Sequence, residues 1–172
     1  MIGKQSIATA AMCVLLGALE VRAQVPQVLG VWDLDPGASN LPAQAFPTGI
    51  KSETRSYVLR DDGYLVVLAV RVNGNGSFDF IQVAAKSDGR DYPQFQSGPL
   101  AEFQIHGTPT RFTYSEKITG DNTAEVVGKF DGRVNNKGTR QISTDGKTMT
   151  LNVAAVRPDG QEIPIVLVFK KR

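Results

Sequence analysis

Few residues in this chain have the type and spacing that chemistry requires. Asp33 and Asp35, in "VWDLD", stand two apart, which on an extended strand puts both carboxylates on one face. Acid–base work needs two acids in environments that push their pKa values apart, whereas this pair reads as two solvated strand-edge acids. His106 is the single histidine of the sequence. A Ser-His-Asp relay would have to pass through it, yet no G-x-S-x-G elbow exists and the residue runs from an apolar segment into "GTP", which reads as a loop end. Zinc sites need several His or Cys, so a haem on one axial histidine is the metal chemistry the count leaves open. The Asp-Gly turns lack the spaced acidic ligands of a calcium loop, and "NGNGS" lacks the Lys-Ser/Thr and following helix of a phosphate cradle. Asp61, Asp62, Asp88, Asp91, Asp121, Asp131, Asp145 and Asp159 all sit in or beside turn signals, where carboxylates cap backbone amides. The expectation is therefore a non-enzyme with no metal site and no cofactor.

Binding is the chemistry left. Tyr57, Tyr64 and Tyr114, with Phe78 and Phe80, offer aromatic surface to a cavity or to a core. If Asp62-Gly63 and Gly74-Asn75 are two-residue turns, Tyr57 faces Leu68, Leu68 faces Ile81, and Arg71 faces Phe78 beside Gln82 on the other side of the sheet. Tyr57, Arg71, Phe80 and Tyr114 are the candidate ligand-binding residues on these registers. The competing reading is that the aromatics fill the core.

Such residues must be held by strands, because turn signals recur at close spacing: "DDG" at 61, "NGNG" at 73, "SDG" at 87, "TGDN" at 119 and "DG" at 131, 145 and 159. Between them lie runs rich in β-branched and aromatic residues. Ten strands are expected: 29–34, 54–60, 64–72, 78–85, 101–105, 111–116, 124–130, 138–144, 148–156 and 163–169. Short strands joined by hairpins make an antiparallel meander that closes into an up-and-down barrel or folds into a sandwich. The stretch from Pro36 to Gly49, with three prolines, reads as a crossover or lid.

The last two hairpins can be registered residue by residue. A three-residue Pro158-Asp159-Gly160 loop pairs Ala155 with Ile163, Val153 with Ile165, Leu151 with Leu167 and Met149 with Phe169, an unbroken apolar face. Asp145-Gly146 as a type I′ turn then pairs Ile142 with Met149 and Arg140 with Leu151. Arg140 points inward, where an unpaired charge is costly and needs a partner.

Compartment follows from the first residues. Lys4, the apolar run Ile7 to Leu19 and Val21-Arg22-Ala23 form a secretory signal cleaved after Ala23. That run is too short for the roughly 30 Å hydrocarbon core, which needs about 20 residues. Cys13 follows the bulky Met12, where a lipobox wants a small residue. Residues 24–172 then form one domain without cysteine, exported to the periplasm or the extracellular space, stabilised by burial rather than disulfides. With 19 Lys and Arg against 17 Asp and Glu, the chain has no charge excess that would recruit nucleic acid or an anionic membrane, and stable membrane insertion is not expected.

The Gly30-Val31-Trp32 triplet resembles the G-x-W signature of lipocalins and fatty-acid-binding proteins. In those barrels the Trp closes one end and an Arg or Lys from a late strand lies across it. Arg140, in "GTRQIS", is the match for that cation, with cation–π contact to Trp32. "STDGKTMTLNV" and the terminal "VFKKR" resemble the last strands of a fatty-acid-binding protein, and "DGRDYP" with "GTRQISTDGKT" resembles small exported bacterial lipocalin-like proteins. The last strand, "PIVLVFKK", lacks the Arg-x-Tyr pair that holds a fatty-acid carboxylate, so that headgroup site does not carry over.

Together these observations predict an all-β, lipocalin-like barrel of about ten strands that binds a small, mostly apolar ligand, with Gly30, Trp32 and Arg140 as structural signature. A barrel packed solid that acts through its outer surface is the alternative; a cavity enzyme or haem protein is a third.

Overall fold

A computed structural model describes residues 27–97 and 110–172. The expected signal segment, Cys13, the expected strand 101–105 and His106 lie outside the described residues. The described chain folds into ten strands: β1 (Gly30–Leu34), β2 (Ile50–Leu59), β3 (Leu65–Asn73), β4 (Phe78–Ala85), β5 (Tyr92–Gln96), β6 (Phe112–Gly120), β7 (Thr123–Phe130), β8 (Arg133–Ile142), β9 (Thr148–Val156) and β10 (Glu162–Lys171). Each pairs antiparallel with its neighbours in sequence, and β1 also pairs with β10, closing the barrel. Closure leaves no open sheet edge. The expected up-and-down barrel is the observed fold.

The final hairpins have the registers their turn residues dictate. Arg157 and Gln161 close the Pro158–Gly160 loop, Gly160 has φ 83°, and Leu151 pairs with Leu167 and Met149 with Phe169. Ile142 pairs with Met149 and Arg140 with Leu151 as expected. The turn between them is not type I′, however: the last backbone pair is Ser143 with Thr148, and only Gly146 has positive φ, so the loop is four residues long with the same register.

The first hairpins differ. Arg60 pairs with Tyr64 and Asn73 with Ser77, so both loops hold three residues, with Gly63 (φ 80°) and Gly76 (φ 86°) in the left-handed region. A type I′ turn needs positive φ at both central residues, and Asp62 does not adopt it. The extra residue shifts each register by one: Tyr57 pairs with Val67, Ala69 with Ile81 and Arg71 with Asp79. A shift of one exchanges the faces. Leu68, Val70 and Phe78 are exposed, and Phe80, opposite Val70, belongs to the outer face rather than to the interior.

Inside, the two ends are filled differently. Val28, Trp32, Leu34, Leu65, Ala85, Ile142, Met149 and Phe169 are buried and plug the end where β1 begins. The stretch 36–49 crosses the opposite end. Asn40 exchanges backbone hydrogen bonds with Val166, and Leu41, Ala45 and Phe46 pack against the core. The stretch then reaches Gly74, where a Cβ would stand 2.2 Å from the Thr48 carbonyl oxygen.

Candidate functional site

Two buried carboxylates organise the polar interior. Glu53, Arg55 and Tyr57 occupy alternate positions of β2 and therefore share its inner face. Glu53 Oε1 accepts from Arg55 Nε at 2.6 Å, and Oε2 accepts from Arg71 Nε at 2.7 Å, Arg71 lying directly opposite on β3. Burial alone would raise the Glu53 carboxyl, but the guanidiniums of Arg55 and Arg71 more than offset this and hold it below its ordinary value. Arg55 lies over the Phe169 ring at 4.9 Å and Arg71 over Phe46 at 5.0 Å, so both cations also rest on aromatic faces.

Glu116 of β6 anchors the second group. Arg140 grips it with both Nη atoms, at 2.5 and 2.8 Å, while Ser87 Oγ donates to Oε1 and the Tyr114 hydroxyl to Oε2, each at 2.8 Å. Four donors on one carboxylate, in bidentate geometry on the arginine side, satisfy a buried charge. Burial, and then the neighbouring Glu116 charge, push the Tyr114 hydroxyl well above the ordinary tyrosine range. Arg140 completes its contacts over the Tyr57 ring at 5.4 Å. Tyr57 thus stands between the two groups.

This corrects the expected Trp32–Arg140 contact. The cation near Trp32 is Lys171, its Nζ 5.2 Å from the ring, and the indole Nε1–H donates to the Val28 carbonyl at 2.7 Å. Gly30 serves the same corner: its φ is 122°, and a Cβ there would stand 3.1 Å from Lys171 Cε. Arg140 is buried and inward, but Glu116 rather than the indole compensates it.

Of the four candidate ligand residues, the structure brings Tyr57 and Tyr114 together around Arg140 and puts Arg71 on the inner face beneath Phe46, while Phe80 faces outward. Sequence reasoning missed Glu53, Arg55 and Glu116. The alternation in "SETRSY" and the Tyr-x-Glu spacing at 114–116 carried the signal, and the correct register would have revealed it. It also missed β5, where Gln94 pairs with Val83 and Gln96 with Ile81 on the inner face. Asp33 and Asp35 are surface groups, Asp33 held by Arg172 and Thr54 and Asp35 by the Ala38 amide.

Beyond these clusters the inner surface retains access to solvent. Ile81, Gln96, Tyr114, Asn136, Val153, Ala155 and Ile163 all point inward yet are only half-buried, whereas Trp32, Leu65, Ala85, Ile142, Met149 and Phe169 toward the other end are buried. Gly128 contributes by omission, since a Cβ there would meet the Asn136 side chain at 2.3 Å.

No protein-family model and no curated protein matches the sequence. The structure of a single-residue mutant of the fluorescent protein UnaG matches with TM-score 0.52 and 13% identity, covering 84% of this chain and 96% of that one. The fold is calycin-like. Wild-type UnaG aligns with TM-score 0.49 and 11% identity over 85% of this chain and 98% of that one. At such identity the calycin-like likeness extends to the barrel alone, and the interior chemistry of this chain must be read from its own residues.

Proposed function

We propose that the barrel binds a small, mostly apolar molecule in the half of its interior remote from Trp32. The carrying observation is the uneven filling: inward residues Ile81, Val153, Ala155 and Ile163 keep accessible surface in a closed barrel, whereas Trp32, Leu65, Ala85, Met149 and Phe169 at the other end are buried. Apolar walls with a few convergent polar groups are what small-molecule sites are made of, and Tyr114, Asn136 and Gln96 supply the polar groups. Both buried carboxylates are engaged by arginines, which favours binding over acid–base chemistry. The likeness to UnaG supports the barrel and no particular ligand.

The test is titration with the uncharged fluorophore N-phenyl-1-naphthylamine. Saturable one-to-one binding in the micromolar range is expected, weakened at least tenfold by Val153→Trp at unchanged unfolding midpoint. Absence of saturable binding would favour the packed barrel that acts through its outer surface. We also propose export through cleavage after Ala23, on the strength of the sequence pattern alone.

A further inference from the structure

Strand β3 is apolar on both of its faces. Leu65, Val67 and Ala69 point inward and are buried, while Leu68 and Val70 point outward and are 41% and 40% exposed. A strand that meets water on one face alternates apolar with polar residues, and a strand apolar on both is the pattern of one covered on both sides. Its neighbours continue the surface, since Phe78 on β4 is 69% exposed and Val58 on β2 is 55% exposed. Pairing aligns the outward residues in rows across the strands, from Val58, Val66 and Ala84 at one end to Ser52, Val72 and Phe78 at the other, with the rows of Leu68 and Val70 between them. None of the outward positions in these rows carries a charge. Elsewhere the outside of the barrel is charged, with Lys117 opposite Glu125 and Lys137 paired to Glu162 at 2.7 Å.

Charge, shape and size all fit a second copy of this chain on that face. An isologous contact puts the same patch on both partners, and a patch without charge meets its own copy with no like-charge repulsion. A two-fold axis lying across the strands, between the Leu68 and Val70 rows, reverses strand direction and keeps each strand over its equivalent. Phe78 of one copy then lies over the small Ala84 of the other, and Leu68 over Val70. The same operation carries the exposed Lys51, just beyond the Ser52 row, toward the Asp61 turn beyond the Val58 row of the other copy. Arg60 holds Asp62 at 3.1 Å, whereas neither Lys51 nor Asp61 has an ionic partner among the described residues. Phe95 of β5 extends the Leu68 row through Gln82. With strands about 4.8 Å apart and a rise of about 3.4 Å per residue, the face measures about 500 Å² in projection. Two such faces reach the roughly 1,000 Å² at which specific interfaces begin, which suits weak association.

We propose that two copies of the chain associate through the outer faces of β2, β3 and β4 about this two-fold axis, with Lys51 of each copy beside Asp61 of the other. Association removes Phe78, Val58, Leu68 and Val70 from water and gives β3 the second cover that its sequence calls for. The contact lies wholly outside the barrel and is independent of what the interior binds.

Sedimentation velocity of the full chain, from about 1 to about 200 µM, tests it. A monomer–dimer equilibrium with a dissociation constant of the order of 10 µM is expected. Phe78→Asp puts a carboxylate in the middle of the contact and should weaken association at least about thirtyfold, with the Trp32 emission and the urea midpoint unchanged because position 78 is at the surface. Val58→Lys, in the opposite row, should do the same and serves as the second variant should the first disturb folding. Lys51→Glu and Asp61→Lys should each weaken association about fivefold and together restore it. A chain that stays monomeric at about 200 µM would overturn the proposal, whether a different protein or a lipid surface then meets the face. A dimer untouched by both Phe78→Asp and Val58→Lys would overturn it too, by placing the contact elsewhere. Additive weakening on combining Lys51→Glu with Asp61→Lys would refute the two-fold arrangement.

Discussion

At the scale of single residues, the interior is governed by charge compensation. Removing one member of a buried ion pair strands the other in low dielectric, at a cost of about 3 to 5 kcal/mol. Arg140→Ala should therefore destabilise the protein by that order through Glu116, which urea unfolding will measure. The same substitution should show coupling near zero with Trp32→Phe, because the indole lies near Lys171 and not Arg140, and strong coupling with Glu116→Gln. Coupling to Trp32 and none to Glu116 would refute the assignment. Glu53 makes a pH prediction. Its folded pKa lies below the ordinary 4.5, held there by Arg55 and Arg71 against burial, so its contribution is fully present above the ordinary value and is lost as pH falls through the folded one. Stability should fall below about pH 4.5 more steeply in the wild type than in Glu53→Gln, as urea midpoints across the acid range will test.

At the scale of elements, the terminal hairpin and the close approach of β8 to β9 carry the sharpest consequences. Leu151 and Leu167 face each other in the core, so truncating either to alanine should cost about 2 to 5 kcal/mol, while exposed Asn152→Ala should cost far less. Equal losses at all three in chemical denaturation would contradict the register. Gly138 stands where a Cβ would lie 2.0 Å from the Asn152 carbonyl oxygen and 2.6 Å from Val153 Cα. Both are backbone atoms that cannot swing aside, so Gly138→Ala should force β8 from β9 and cost about 1 to 3 kcal/mol or more. Gly30→Ala meets instead the tip of a flexible lysine, and its penalty comes from the positive φ.

At the scale of the molecule, the closed strand order means that β1 and β10 stabilise each other only once the whole chain has folded. The contact Trp32 makes near Lys171 joins residues from opposite ends of the described sequence. Trp32 is 0% exposed, and its emission should be blue-shifted in the folded protein and move red in a single step with unfolding. A ligand in the half-filled end should leave that emission nearly unchanged, since Trp32 is fully buried in one core cluster with Phe169, Met149 and Leu34. Export is tested separately: the protein isolated from its own host should begin at Gln24 or within a few residues of it, and an intact Met1 would refute cleavage.

Alternation of apolar residues and well-placed glycines were enough to read the barrel and the whole β8–β10 register from the sequence, because each of those hairpins is decided within about a dozen residues. The same local information misplaced Phe80. One extra residue in the loops at Asp61–Gly63 and Gly74–Gly76 reverses every side chain beyond, and the choice between two- and three-residue turns depends on whether Asp62 or only Gly63 takes positive φ. Strand β5 escaped notice because Pro93 interrupts its pattern and its pairing with β6 is brief. The partners of Arg140 were beyond reach for a different reason. Glu116, Tyr57 and Trp32 are remote from it in sequence, any of them is chemically able to receive a guanidinium, and only closure of the barrel decided that Glu116 and Tyr57 stand beside it while Lys171 takes the indole.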